Sequence, residues 1–255
     1  MEDLVLLELR GPIAVLKINR PKALNALSRE IVDLIDDKLE LIINNEEIKA
    51  LIITGDNNFA AGADIVDMVD KNAKEARAFL FSDTFSKLES IEMPTIAAIC
   101  GYALGGGLEL ALACDFRIAS EDAQMGLPEI NLGIMPGAGG TVRLPRLIGE
   151  AKAKELIYLG GRLSSHEAYQ FGIVNKVVKT EELMAEALKM AEKLAEKSTI
   201  AIRAAKKSIN SGSELTKAEA IDHEAELWSA LFDSQDQKEG MKAFLEKRKP
   251  NYQGK

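Results

Sequence analysis

MPTIAAICGYALGGGLELALAC, residues 93–114, decides how this chain folds: its 22 residues lie between Glu92 and Asp115 and carry a single charge, Glu109. That length alone would admit a membrane span. Gly101 and the run Gly105-Gly106-Gly107 argue against one, because they interrupt the apolar stretch and leave a carboxylate just after them that would be costly in lipid. The stretch reads as a core strand over 95–100, a glycine turn, and a helix over 108–114, followed by another strand over 116–119.

The same alternation extends in both directions. Residues 4–10 and 13–19 are strand-like runs joined at Gly11-Pro12, a hairpin signal. From Ser28, an N-cap, Ile31, Leu34, Ile35, Leu39, Ile42 and Ile43 recur at the spacing of one helical face. A buried strand over 50–54 ends at Gly55, and its loop leads to Gly62-Ala63-Asp64, where a further helix is expected. Strand and helix alternate, so the fold class is α/β. From Ala151 the pattern turns helical, with Ser164 and Glu167 spaced as a capping box and an amphipathic helix over 181–197. Two apolar stripes follow, Ile221, Ala225, Trp228 and Phe232, then Met241, Phe244 and Leu245; each fits a neighbouring copy or the chain's own core equally well.

Composition narrows the partners. Forty Asp and Glu against 32 Lys and Arg leave a net charge of −8 over 255 residues, which disfavours nucleic acid and anionic membrane as partners. An anionic ligand must therefore meet a local basic patch. Cys100 and Cys114 are too few for a disulfide framework, and Met1-Glu2-Asp3 lacks the layout of a signal peptide, so a reducing, cytoplasmic setting is expected.

Two glycine-rich turns, 60–64 and 104–109, each expose backbone amides that can stabilise a developing oxyanion. Alone, either turn reads as tight packing. Glu109 lies among Leu108, Leu110 and Leu112, where burial raises a carboxyl pKa and the helix start lowers it; Glu129 lies in the proline-containing GLPEI at 126–130. Facing each other, the two would hold one water between a base and an acid. Each taken singly reads as a structural Glu with a salt-bridge partner. GAGGTV at 137–142 begins like a dinucleotide fingerprint but ends in Val142, and neither a phosphate loop nor a nucleophile elbow is present. His166 and His223 read as surface or structural residues, so no metal site is expected.

Taken together, FAAGADI at 59–65, IAAI at 96–99 leading into GYALGGGLELA at 101–111, and LPE at 127–129 with GIMPGAGG at 133–140 resemble the enoyl-CoA hydratase/isomerase (crotonase) family, and bacterial enoyl-CoA hydratases in particular. NRPKALNAL at 19–27 and GMKAFLEKR at 240–248 extend the resemblance over essentially the whole chain. It implies a crotonase (ClpP-like) spiral of repeated ββα units over 1–195, bearing the active site, and a helical oligomerisation region over 196–255, with assembly as a trimer or a dimer of trimers. The implied reaction is syn addition of water to a trans-2-enoyl-CoA, giving a 3-hydroxyacyl-CoA in fatty-acid or related acyl-CoA degradation. The amides of Ala63 and Gly106 would hold the thioester oxygen, Glu109 would activate water and Glu129 would protonate C2. Lys22, Ala23 and Leu24 with Ala61, Gly62, Asp64 and Ile65 would line the coenzyme A groove. Phe244 and Lys247 would reach it, in cis or from a neighbouring subunit, and Arg20 would add charge. No metal or other cofactor is implied, since the coenzyme A thioester is the substrate.

Three positions depart from the common pattern: Val66 where many hydratases carry Lys, and Leu127 and Val142 where Gln is frequent. The wording at 126–129 and 133–140 is similar to 2,3-dehydroadipyl-CoA hydratases of phenylacetate-type catabolism. An enoyl-CoA isomerase is the nearest rival, opposed by Glu109. A coenzyme A-binding or RNA-binding member without activity is a rival of another class, and a serine peptidase on a related spiral would need a Ser-His pair that has no place here.

Overall fold

The structure, a computed structural model, describes residues 3–255. Strands β1 (Val5–Arg10) and β2 (Ile13–Ile18) form the expected hairpin, with Arg10 opposite Ile13. Helix α1 (Arg29–Ile43) is capped by Ser28, whose side chain accepts from the Ile31 amide, an interaction worth about 1 kcal/mol. Its inner face is Ile31, Val32, Ile35, Leu39 and Ile42. The chain continues through β3 (Ala50–Gly55), α2 (Ala73–Phe79), α3 (Ser82–Ser90), β4 (Thr95–Ile99), β5 (Tyr102–Leu104), α4 (Gly106–Leu112), β6 (Phe116–Ser120) and β7 (Gln124–Gly126). After these come α5 (Gly140–Ile148), α6 (Glu150–Leu159), β8 (Leu163–Ser164), α7 (Ser165–Gln170), β9 (Lys176–Val178) and α8 (Leu183–Ala195). Ser164 and Glu167 close the capping box on α7. The helix expected from Gly62-Ala63-Asp64 is only a 3-10 turn, Ile65–Asp67, capped by the Asp64 carboxylate.

The spiral arises because successive strands go to different sheets. The larger sheet has the order β1-β2-β3-β4-β6-β9, parallel from β2 onward, and the smaller has β5-β7-β8. Thus β4 enters the large sheet, β5 the small one, and α4 returns; β6 and β7 repeat the step. Burial on both faces explains why β3 and β4 read as continuous apolar runs. Leu51, Ile53, Ala97 and Ile99 join the main core with α1 and α4. Ala50, Ile52, Ile96 and Ala98 face the other way, under Leu183, Ala187 and Ala191 of α8.

Three helices follow: α9 (Thr199–Gly212), α10 (Lys217–Ala230) and α11 (Gln235–Leu245). Lys206 fastens α9 to the sheet, donating to Asp115 Oδ2 at 2.8 Å and to the Met93 carbonyl at 3.2 Å. The apolar stripes beyond it are not buried on the chain's own core: Ile221, Trp228, Met241, Phe244 and Leu245 are exposed, and Trp228 packs on Phe232 with ring centroids 4.6 Å apart. Among the described residues, no helix is long and apolar enough to cross a membrane.

Candidate active site

The two glycine turns meet. Ala60 bridges to Ala103: the Ala60 amide donates to the Tyr102 carbonyl at 2.9 Å and the Leu104 amide to the Ala60 carbonyl at 3.0 Å. Gly105, at φ +50°, then turns the chain into α4. A Cβ on Gly107 would stand 2.1 Å from the Ala60 carbonyl oxygen, so only glycine lets α4 approach so closely. This approach carries Gly106 to the Ala63 turn, where a Cβ on it would lie 3.7 Å from the Ala63 nitrogen.

Both amides are available. Leu27 donates to the Gly62 carbonyl and accepts from the Asp64 amide, each at 2.8 Å, and thereby passes over the Ala63 amide between them. Gly106 is the first residue of its helix and has no intrahelical acceptor. Among the described residues, neither amide has a hydrogen-bond acceptor outside helices and strands. The Phe81 side chain lies beside Gly106, 3.6 Å from where a Cβ would stand, and shields the turn from water.

Glu109 sits one turn into α4 and is 3% exposed. Its Oε1 accepts from the Ala138 and Gly140 amides, both at 2.8 Å. Burial raises its pKa, while these two amides and the Arg143 guanidinium pull it back. The 137–140 loop is therefore no dinucleotide site; its amides hold a carboxylate of the same chain. Glu109 lies in the first turn of α4 as expected, and donors 29 and 31 residues away add to the effect of the helix start.

Glu129 sits in the 3-10 turn Pro128–Leu132. Its Oε1 lies against Gly105, 3.0 Å from where a Cβ would stand, and its buried Oε2 has no hydrogen-bond partner. Burial, reinforced by the charge of Glu109, pushes its pKa up to about 7. Leu127 beside it is fully buried and packs against Gly140, whereas Val66 and Val142 are exposed.

The basic loop near the start of the chain is stitched to the Ala63 turn. Arg20 Nη1 reaches Asp64 Oδ2 at 2.6 Å, and the Ala61 amide donates to the Leu24 carbonyl at 3.1 Å. Leu24 and Asn25 both adopt positive φ, and the Asn25 side chain locks the bend by accepting from the Arg20 amide at 2.8 Å and donating to the Asn58 carbonyl at 2.6 Å. Lys22, Ala23 and Leu24 thus stand beside Ala61, Gly62, Asp64 and Ile65 along one edge, with the Lys22 side chain exposed. Phe244 is 81% exposed at the end of α11, and Lys247, at φ +55°, follows it.

His166 is exposed and His223 half-buried on α10; among the described residues no group of three or more His, Cys, Asp or Glu is placed to hold a metal ion. Sequence reasoning overlooked Phe81, Arg143 and the donors of the 137–140 loop. The available signal was the pair Gly139-Gly140 at a helix start, a place that offers free amides to an anion.

Comparison with known proteins shows the family and the fold. The family model for enoyl-CoA hydratase/isomerase matches residues 8–255. Crotonyl-CoA hydratase of Syntrophomonas wolfei is 47% identical over 252 residues, covering 97% of each chain. Short-chain-enoyl-CoA hydratase of Clostridium acetobutylicum is 45% identical over 249 residues, covering 96% of this chain and 95% of the relative. The crystal structure of enoyl-CoA hydratase subunit I from Geobacillus kaustophilus HTA426 superposes with a TM-score of 0.96 at 43% identity, covering 99% of each chain. The spiral, the facing amide turns and this likeness along its whole length lead to one conclusion: the chain belongs to the enoyl-CoA hydratase/isomerase family.

Proposed function

We propose that the chain is an enoyl-CoA hydratase that adds water syn across the trans-2 double bond of a short-chain enoyl-CoA, yielding the 3-hydroxyacyl-CoA. The observation that carries this reading is the pair of unlike carboxylates beside the free amides: Glu109 held by two N–H donors, Glu129 with a bare oxygen and a pKa of about 7. Environments that separate two pKa values assign an acid and a base. The Ala63 and Gly106 amides receive the thioester oxygen and stabilise the enolate that forms as the double bond polarises. Glu109 takes a proton from water while the water oxygen bonds to C3; Glu129 gives its proton to C2. Glu109 is left protonated and Glu129 ionised, and a proton passed between them restores the starting pair, whose titration belongs to both. The addition is redox-neutral and needs no electron carrier, so the thioester is the only organic group the site must hold.

Lys22, Ala23 and Leu24 with Ala61, Gly62, Asp64 and Ile65 form the groove proposed for coenzyme A, where Lys22 offers charge to phosphate. Phe244 and Lys247, exposed at the end of α11, are proposed to complete that groove for a neighbouring subunit, with 1–195 as the catalytic core and 196–255 as the oligomerising region of a trimer or dimer of trimers. A short acyl group is favoured by the substrates named in the Syntrophomonas and Clostridium relatives. An isomerase shuttles a proton with one carboxylate and has no use for a second that two amides hold in place.

The test is loss of enoyl-thioester absorbance with crotonyl-CoA, then with longer and dicarboxylic enoyl-CoAs, with the product identified by mass. A product heavier by one water is expected, fastest with the short chain. Coenzyme A binding without water addition to any of these substrates would overturn the hydratase reading.

A further inference from the structure

The carboxylate of Glu109 is held by a loop, and the loop is held by one side chain. Arg143, on α5, has a side chain only 10% exposed; its Nη1 donates to the Ala138 carbonyl at 2.9 Å. The same residue's amide donates to the Gly139 carbonyl at 2.8 Å. The guanidinium turns its Nη1 edge to Gly139, where a Cβ would stand 2.0 Å from Nη1 and 2.9 Å from Cζ. One face of the Ala138 residue therefore points its N–H at Glu109 while its carbonyl is bound by Arg143. On its far side Arg143 donates through Nε (3.1 Å) and Nη2 (2.7 Å) to Glu89 Oε2 on α3.

We propose that Arg143, braced by Glu89, is a positioning residue for the hydration step: it fixes the 138–140 turn whose two amides aim the Glu109 carboxylate. The inference rests on the hydratase reading and adds a residue that does not touch substrate. Merely fastening α5 would not require the guanidinium to bond the carbonyl of the very residue whose amide is a Glu109 donor. Its charge also acts on Glu109 in the sense that favours the carboxylate. Among the described residues, other charged or titratable groups around α4 include Glu129 on the 128–132 turn and Tyr102 on β5; at the opposite end of the helix Arg117 on β6 bonds the Ala111 and Cys114 carbonyls, the Cys114 thiol bonds the Leu110 carbonyl, and Asp115 follows.

Two substitutions pull in opposite directions. Arg143→Met keeps most of the side chain's length but removes the cation and the donors. It should cut kcat by about tenfold or more, with little change in KM, and move the acid limb of the rate profile to higher pH, since Glu109 then ionises less readily. Arg143→Lys should restore the limb toward its wild-type position and recover only part of kcat, because a lysine lacks the fork that binds Ala138 and Glu89 together. Glu89→Gln removes a negative charge and should move the acid limb to lower pH, with a loss of kcat of only about twofold to threefold. The measurement is crotonyl-CoA hydration against pH for all four proteins, with folding checked by circular dichroism. Shifts of opposite sign in the Arg143→Met and Glu89→Gln proteins are the expected result. Should Arg143→Met not fold, the downward shift in Glu89→Gln decides. Variants whose acid limbs coincide with that of an active wild-type protein overturn the positioning role alone, whereas a wild-type chain that adds no water overturns the hydratase reading beneath it.

Discussion

Two regions a few residues wide, the start of α4 and the turn after β7, bury the same functional group among unlike partners: burial raises the pKa of both, but only one is offered donors. In the first, Glu109 is almost wholly inside the protein, yet two backbone amides and a nearby guanidinium stabilise its ionised form. In the second, Glu129 is less buried, but no donor reaches its Oε2, the charge of Glu109 faces it, and its pKa rises to about 7. Depth alone would have assigned the roles the other way round. What separates acid from base here is the supply of hydrogen-bond donors, which burial makes more consequential by lowering the local dielectric.

The contrast can be broken at either carboxylate. Glu109→Gln and Glu129→Gln should each lower kcat for crotonyl-CoA hydration by roughly 10³-fold with the fold intact, as expected for loss of general base or acid. The double substitution should cost little more than either single one, because the two act on one water. A variant that retains most of the wild-type turnover would show that its carboxylate is dispensable.

A subtler break adds a methyl group where the Glu109 cradle has none. A Cβ on Gly140 would lie 3.0 Å from Glu109 Oε1, 2.9 Å from Leu127 Cδ1 and 3.0 Å from Pro136 Cβ. Gly140→Ala should displace the carboxylate and lower kcat by about tenfold with KM nearly unchanged; stopped-flow kinetics with crotonyl-CoA would separate the two.

The unsatisfied acid also has a stability signature. Glu129 ionises near 7 when folded and near the ordinary Glu value when unfolded. Its contribution is greatest below the unfolded value and is lost as pH rises through the folded one. Replacing it with Gln removes that loss, so Glu129→Gln should be the more stable protein above pH 7, with the advantage disappearing below about pH 4. With the side chain partly open to solvent, a gain on the order of 1–2 kcal/mol is expected, read as a higher midpoint in thermal melts at two pH values. The smallest effect belongs to the groove: Lys22→Ala should raise KM for crotonyl-CoA about twofold to threefold at low salt and less at high salt, leaving kcat alone.

How much of this the chain discloses in advance depends on the distance between cause and effect. The β1–β2 hairpin, α1 with its Ser28 cap, and the capping box on α7 are set by residues within a few positions of one another, and periodicity reveals them. Strands β5, β7 and β8, of three residues or fewer, are too short to show a period and emerge only because the chain alternates between two sheets. The helix expected at Gly62 cannot start there, because the Leu27 main chain holds Gly62 and Asp64 on either side of Ala63; Asp64 caps only the 3-10 turn Ile65–Asp67 that follows. At the site, Glu109 and Glu129 were legible as carboxylates out of place among apolar neighbours. Their division of labour came only with the family resemblance; its physical cause was hidden, because the donors that hold Glu109 come from residues 138 and 140 and were masked by an apparent nucleotide motif. The apolar stripes on α10 and α11 were visible as stripes, but only coordinates show that this chain leaves them uncovered.

The most direct test of the central claim is a carboxyl titration by NMR of protein labelled with 13C at the glutamate side-chain carbons, compared with the same spectra of Glu129→Gln and Glu109→Gln. One glutamate should titrate near pH 7, disappear in Glu129→Gln, and shift to lower pH in Glu109→Gln, where the facing negative charge is gone. If the signal that titrates near neutrality survives in Glu129→Gln, or if no glutamate titrates there at all, the assignment of Glu129 as the acid and Glu109 as the base is wrong.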